Sequence, residues 1–173
     1  MDSLSGGTNA PKIYLETSVV SYLAARPSRD LITAAHQQLT HVWWEARRPE
    51  FEILVSQLVL DEAAGGDALV VKKRLAYLRD LPLLAIDKRV EILARDLIVG
   101  VGLPPRAGAD AVHIAVASRH EVDFLLTWNC AHIANAQLRP RIERVCREQG
   151  YRAPVLCTPA ELMGESDDDR ADF

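Results

Sequence analysis

The stretch IYLETSVV, residues 13–20, decides the fold of this chain. A short apolar run that passes directly into a helical segment is typical of a strand followed by a crossover helix. Similar apolar runs occur further along the chain, and the predicted strands are at 12–15, 51–55, 82–86, 124–127 and 155–157. Apolar runs alternating with helix-length amphipathic segments indicate a parallel sheet covered on both faces. The sequence therefore predicts an α/β fold, a three-layer α/β/α sandwich.

The helices are predicted from three-four spacing and from their end signals. Apolar residues recur at this spacing in two segments: Leu31, Ala34, Ala35, Val42, Trp43 and Ala46, and then Val90, Leu93, Ala94, Leu97, Ile98 and Val101. Another helix begins near Ser56 and ends at Gly65-Gly66, after which Asp67 can cap the next one. Pro140 stands early in a last helix that closes near Gly150.

The length of 173 residues fits one domain. We predict a flexible N-terminal segment at 1–11, the folded domain at 12–163 and an acidic, disordered tail at 164–173. The net charge is −4, and the last nine residues hold five acids and one Arg, which is the whole imbalance. The remaining chain is neutral, so any RNA path must be a local patch rather than an overall basic field.

Composition also restricts the class of protein. Hydrophobic residues make up 49% and charged residues 25%, which is the balance of a globular protein. No basic and apolar leader opens the chain, and no stretch approaches the roughly 18 apolar residues of a membrane span, which predicts a cytoplasmic protein. Cys130, Cys146 and Cys157 contain no C-x-x-C pair. We therefore expect reduced, partly buried thiols, without a disulfide framework or a zinc site.

Four polar residues stand where chemistry is expected in a parallel sheet, beyond the carboxyl ends of the strands. Glu16 and Asn129 follow predicted strands, Glu62 lies in the helix after the second strand, and Asp110 opens a helix predicted over 111–119. Two of the acids have a plain alternative, because Asp110 can be a helix cap and Glu62 a solvent-facing helix acid. Thr17 and Ser18 are candidates to cap the first helix.

Four motifs carry a family resemblance. The segments IYLETSVV (13–20), SQLVLDE (56–62), DAVHIA (110–115) and LLTWN (125–129), in this order and spacing, resemble the PIN-domain nucleases. The resemblance extends from residue 12 to about residue 160. It implies a five-stranded parallel sheet of order 3-2-1-4-5, which places the strands ending before Glu16 and at Thr127 side by side.

The resemblance also implies a set of site residues. The first acid of the family corresponds to Glu16, the helix Glu to Glu62, the third acid to Asp110 and the fourth position to Asn129. Glu16, Asp110 and Glu62 would be the metal ligands for Mg²⁺ or Mn²⁺, with Glu16 and Asp110 in direct contact with the ion. Glu62 would hold a metal-bound water or a second ion, and Asn129 would orient water or phosphate. This chain departs from the family pattern twice: the first acid is Glu rather than Asp, and the fourth motif, ending at His132, has no acid.

The implied activity is that of a metal-dependent endoribonuclease that hydrolyses RNA phosphodiester bonds. Because the fourth acid is missing, we expect one ion held tightly and a second recruited by substrate. The chain is similar to the VapC-type toxins of toxin-antitoxin pairs, which implies a cognate antitoxin protein and a homodimer. The alternative is a catalytically weakened PIN domain that binds RNA or a protein. A nucleotide-binding or phosphatase domain is disfavoured, because the G-x-G-x-x-G and P-loop signatures are absent and no predicted strand leads to an aspartyl nucleophile in a D-x-D arrangement.

Several further residues have two interpretations. His113, one turn after Asp110, is expected to be a packed or hydrogen-bonded helix histidine rather than a phosphate contact. Trp43 and Trp44 are expected in the core or an interface. Four arginines flank the motifs and are candidates for phosphate contacts, although solvated arginines are commoner: Arg26, Arg29, Arg106 and Arg119.

Overall fold

The computed structural model describes residues 10–164. The predicted flexible segment up to residue 9 and the predicted acidic tail from residue 165 lie outside the described residues. Within residues 10–164, no helix has both the length and the apolar character needed to cross a membrane.

Five strands form one parallel sheet whose order is β3-β2-β1-β4-β5. The strands are β1 (Lys12–Leu15), β2 (Glu52–Ser56), β3 (Leu83–Leu84), β4 (Phe124–Leu126) and β5 (Val155–Cys157). The predicted fold class and strand order are therefore confirmed. In the centre, Tyr14 is in register with Leu54 of β2 and Leu125 of β4.

The third strand is shorter than the predicted segment 82–86. Only Leu83 and Leu84 pair as a strand with β2. Pro82 has no N–H to donate to a neighbouring strand, and the carbonyl of Ala85 accepts from His120 Nε2 at 2.8 Å. Pro82 contributes only its carbonyl, which accepts from Val55 N at 3.1 Å, and the carbonyl of Ala85 is used by His120. The prediction of a five-residue strand was therefore wrong.

Within residues 10–164, seven α-helices cover the sheet in two layers. They are α1 (Thr17–Ala24), α2 (Leu31–Ala46), α3 (Gln57–Ala63), α4 (Ala68–Leu78), α5 (Lys88–Val101), α6 (Gly108–Arg119) and α7 (Arg139–Glu148). The first four pack against one another, and α6 and α7 pack against α5. Asp67 caps α4, as predicted, by accepting from the amides of Leu69 and Val70. The last helix ends near Gly150, as predicted, and this glycine has a left-handed backbone conformation with φ +80.

The buried face of α5 is the predicted one, but that of α2 is not. In α5, Val90, Leu93, Ala94, Leu97 and Val101 are buried. In α2, Leu31 is 85% exposed, and the buried residues are Gln37, Thr40 and Trp43.

The polar residues of α2 are buried because each is hydrogen-bonded. The amide of Gln37 accepts from Ser28 N at 2.9 Å and donates to the carbonyl of Arg26 at 3.0 Å. The hydroxyl of Thr40 donates to the carbonyl of His36 at 2.6 Å. Periodicity of apolar residues alone therefore placed the wrong face of this helix inward.

The central strand lies in the middle of the core. Ile13, Tyr14 and Leu15 are fully buried, as expected for a strand covered on both faces. Trp43 is also fully buried, and Trp44 packs against the core from its rim, so both tryptophans lie where they were expected.

The three thiols are free, as predicted. Cys146 and Cys157 are buried, whereas Cys130 is exposed, so the expectation of partial burial was wrong for Cys130. Burial raises the pKa of Cys157 to about 12, which keeps this thiol protonated and unreactive.

Candidate metal centre at the carboxyl edge of the sheet

The candidate site lies where the strand order reverses. β1 has β2 on one side and β4 on the other, so the crossovers leave from both sides of β1. Glu16 follows β1 directly and donates its amide to the carbonyl of Leu126, the last residue of β4, at 3.0 Å. Ligands of open parallel sheets bind at this crevice. The predicted first acid therefore stands at the switch point of the sheet.

Glu16 is the N-cap of α1, rather than Thr17 or Ser18 as predicted. Its Oε2 accepts from the backbone N of Ser18 at 3.1 Å. The same oxygen accepts from the hydroxyls of Ser18 and Thr127, the latter at 2.7 Å. Glu16 is only 7% exposed. Within residues 10–164 no hydrogen bond reaches its Oε1, which remains free for a ligand.

Glu62 reaches the same place from α3. Its Oε2 accepts from the hydroxyl of Thr17 and from His113 Nε2, the latter at 3.0 Å. Glu16, Glu62 and His113 each bring one possible ligand atom, a carboxylate oxygen or a ring nitrogen, to this place. These three atoms lie within 4.8 Å of one another. Glu62 therefore faces the site, and its interpretation as a solvent-facing acid was wrong, whereas the neighbouring Asp61 is exposed.

The environment of Glu62 favours its charged form. Partial burial works to raise its pKa, but hydrogen bonds from His113 and Thr17 work against this and bring the pKa below its usual value. Glu62 is therefore an ionised oxygen donor at neutral pH.

Asp110 lies in the first turn of α6, which begins at Gly108 rather than at residue 111. The N-cap is Ala107, so the interpretation of Asp110 as a helix cap was wrong. Its Oδ1 accepts from Asn129 Nδ2 at 2.9 Å, and its Oδ2 approaches His132 Nδ1 at 2.8 Å. The carboxylate is therefore held between two side chains of the segment after β4.

Asn129 joins the two parts of the site. Its backbone N donates to the hydroxyl of Thr127 at 2.9 Å, and that hydroxyl donates to Glu16. Its side chain donates to Asp110, and its Oδ1 accepts from the amide of His132 at 3.0 Å. Glu16 and Asp110 are therefore connected through Thr127 and Asn129.

The four predicted site residues thus lie at one edge of the sheet in two subsets. Glu16 and Glu62 form the close group with His113, and Asp110 pairs with Asn129 and His132 outside that group. Sequence reasoning missed the partnership of His132 with Asp110. The available signal was its position three residues after Asn129, which lets the Asn129 side chain accept from the His132 amide.

The donor set fits a hard divalent cation. Glu16 and Glu62 each offer a free carboxylate oxygen, and oxygen ligands favour Mg²⁺ or Mn²⁺. His113 fits a ligand role poorly, because Nε2 contacts Glu62 and Nδ1 contacts Tyr14 at 2.8 Å. No Lys or Arg within residues 10–164 forms an ion pair with Glu16, Glu62 or Asp110. Clustered carboxylates without a basic partner are stabilised by a bound cation.

An aromatic cluster borders the site. Trp128 follows Thr127, and its backbone N donates to the Ser18 hydroxyl at 2.8 Å. Its indole stacks on His36, with ring centroids 4.1 Å apart and an interplanar angle of 17°, and lies 5.9 Å from the ring of Tyr22. The indole N–H donates to Thr40 at 2.7 Å. All three rings are partly exposed.

The four predicted phosphate-contacting arginines have different surroundings. Arg26, Arg29 and Arg106 are exposed. Arg119 lies at the opposite end of α6 from Asp110 and forms an ion pair with Asp87 at 3.3 Å. At about 1.5 Å of rise per residue, it is on the order of 14 Å along the helix from Asp110. Arg119 is therefore an ion-pair partner in the described structure, and phosphate contacts by the other three stay predictions.

A scan against protein-family models gives no match, and a search of curated proteins gives no match either. The close group of Glu16 and Glu62 at the switch point is therefore the main structural guide to what this protein does, and Asp110 is connected to Glu16 through Asn129 and Thr127.

Proposed function

We propose that this protein is a metal-dependent endoribonuclease that hydrolyses RNA phosphodiester bonds with Mg²⁺ or Mn²⁺. The observation that carries the proposal is the group of carboxylates at the switch point, which has free oxygens and no Lys or Arg partner within residues 10–164. The resemblance of four motifs to the PIN-domain nucleases supports the choice of RNA as substrate.

The residues of the site would have different roles in binding the ion. Glu16 and Glu62 would bind the ion through their free oxygens, and Asp110 would add a third carboxylate. Thr127 and Thr17 keep Glu16 and Glu62 in place, and Asn129 keeps Asp110 in place. When bound, the ion would activate a water and offset the charge that develops on the leaving oxygen.

The assignment of ligands differs in one respect from the sequence-based expectation. Glu62 is in the close group with Glu16, so we give it a direct role rather than contact through a water. Direct binding by Asp110 stays a prediction, as does the presence of one tightly held ion. The toxin role, a cognate antitoxin and a homodimer also stay predictions of the resemblance.

Metal removal provides the test of the proposed function. A labelled single-stranded RNA incubated with the protein and Mn²⁺ should be cleaved, EDTA should abolish cleavage, and excess Mn²⁺ should restore it. The readout is the product ladder on a denaturing gel, with a DNA of the same sequence as control. Cleavage that persists in EDTA would contradict the proposed mechanism, because the carboxylates alone offer no way to neutralise developing charge.

A second candidate function is a weakened PIN domain that binds RNA or a protein. One observation favours it: both oxygens of Asp110 are already paired with Asn129 and His132, and Glu16 is partly used as a helix cap. RNA binding without cleavage, at high protein concentration and with Mn²⁺ present, would support this candidate over the nuclease.

The aromatic cluster of Tyr22, His36 and Trp128 suggests where a nucleobase stacks. Trp128→Leu should weaken the binding of single-stranded RNA by about 1–3 kcal/mol, on the order of tenfold or more, because stacking of one base contributes this much. Fluorescence anisotropy in EDTA measures binding without cleavage. The matched control is Trp44→Leu, since Trp44 packs against Tyr77 and takes no part in the cluster. Equal affinities for the two variants would contradict the assignment.

A further inference from the structure

A continuous chain of hydrogen bonds leads from the core to Glu62. The hydroxyls of Ser56 and Tyr14 are 2.7 Å apart, Tyr14 Oη is 2.8 Å from His113 Nδ1, and His113 Nε2 is 3.0 Å from Glu62 Oε2. Ser56 and Tyr14 are fully buried, and His113 is 1% exposed. The four residues come from β2, β1, α6 and α3, so the chain connects both helical layers through the sheet.

The direction of the hydrogen bonds follows from the Glu62 carboxylate at the end of the chain. A carboxylate only accepts, so His113 donates through Nε2 to Glu62 and uses Nδ1 as the acceptor for Tyr14. The hydroxyl of Tyr14 therefore donates its proton to His113 Nδ1. The oxygen of Tyr14 then accepts from Ser56. Every donor therefore points towards Glu62.

We propose that Ser56, Tyr14 and His113 form a buried relay that positions Glu62 for cation binding. The proposal rests on the proposed function, because it assumes that Glu62 is a metal ligand. His113 is a positioning residue here rather than a ligand, since both its nitrogens are already engaged.

Core packing alone does not account for these residues. Burying a hydroxyl or an imidazole costs free energy unless it is hydrogen-bonded, and an aliphatic residue at position 14 would match its neighbours Ile13 and Leu15. The relay removes this cost and ends on a carboxylate at the edge of the sheet. Holding Glu62 through Oε2 leaves its Oε1 free, because within residues 10–164 no hydrogen bond reaches that atom.

The first test is the tautomer of His113 in the cation-free protein. Nitrogen NMR of ¹⁵N-histidine-labelled protein should show His113 with a proton on Nε2 and none on Nδ1, and Tyr14→Phe should shift the Nδ1 resonance. A proton on Nδ1 of His113 would overturn the proposal, because the relay would then run in the other direction. This measurement needs only the wild-type protein for its main result.

The second test is Mn²⁺ affinity measured by calorimetry on folded variants. Tyr14→Phe and His113→Leu should weaken Mn²⁺ binding about 10- to 100-fold, as expected for partners that orient a ligand. His113→Gln keeps a donor near the position of Nε2 and should recover most of the affinity. Tyr77→Phe is the matched control, since Tyr77 packs against Trp44, away from the relay. Circular dichroism verifies that each variant is folded.

The outcomes separate this proposal from the proposed function. Unchanged Mn²⁺ affinity in folded Tyr14→Phe and His113→Leu would overturn the relay, even if the wild type cleaves RNA. Weakened affinity in both variants, without RNA cleavage by the wild type, would support the relay and contradict the nuclease. A purely structural role for His113 predicts lower thermal stability for His113→Gln without recovery of the affinity, which would also overturn the proposal.

Discussion

Glu16→Gln should abolish Mn²⁺-dependent RNA cleavage. The substitution keeps the size of the side chain and an oxygen that can still accept from Ser18 and Thr127, but it removes the charge that holds the cation. A metal ion contributes several kcal/mol to charge stabilisation in the transition state. We therefore expect a loss of rate on the order of a hundredfold or more. Initial rates at saturating RNA and increasing Mn²⁺ measure the effect.

The control for Glu16→Gln is an acid that is close in sequence to the site but outside it. Asp61 is exposed, and its carboxylate accepts from Gln57 at 2.8 Å, so Asp61→Asn should cleave RNA at the wild-type rate. Both variants should unfold at similar temperatures, because the side-chain amide introduced by Glu16→Gln retains an acceptor for the helix cap. Cleavage by Glu16→Gln at the rate of Asp61→Asn would remove Glu16 from the active site.

Trp43→Ala should destabilise the fold more than any other change considered. Trp43 is fully buried and packs against Phe51 and Trp44, with ring centroids 6.1 and 6.4 Å away. Truncation of a buried Trp costs about 3–5 kcal/mol. Its indole N–H has no hydrogen-bond partner among the described residues, so the loss comes from packing. Denaturant unfolding followed by circular dichroism measures the free energy of unfolding.

The neighbouring Trp44 provides the matched comparison. It is only partly buried and holds the guanidinium of Arg48 over its ring at 4.8 Å. Trp44→Ala should therefore cost clearly less free energy of unfolding than Trp43→Ala. Equal losses would mean that α2 is stabilised along its whole length rather than at the buried position.

The fold was predictable because its signals are local and repeated. Each strand is a short apolar run, and parallel strands with intervening helices leave few architectures. The periodicity of the apolar residues did not predict the order of the strands. That order was predicted from the resemblance of four motifs to the PIN-domain nucleases. The inward face of α2 was not predictable, because Gln37 and Thr40 are buried through hydrogen bonds to Ser28, Arg26 and His36 that only the folded chain provides.

The site was predictable in part for a related reason. Glu16 and Glu62 meet because strand ends converge at one edge, which the order of the strands implies. Their partners were harder to predict, since Thr127 and His132 acquire their roles only when β1, β4 and α6 are adjacent. Tyr14 was missed because a tyrosine in an apolar strand is usually a packing residue. Its hydroxyl forms hydrogen bonds only when the fold places it beside Ser56 and His113.

The attachment of Glu16 and Glu62 by one oxygen each has an entropic consequence. A free glutamate side chain loses up to about 2 kcal/mol of rotamer entropy when it is fixed. In this protein that loss occurs on folding, because Thr127, Thr17 and His113 already hold the two side chains. When a cation binds to the folded protein, the side chains of Glu16 and Glu62 are already ordered. Cation binding therefore carries only a small further cost in side-chain entropy.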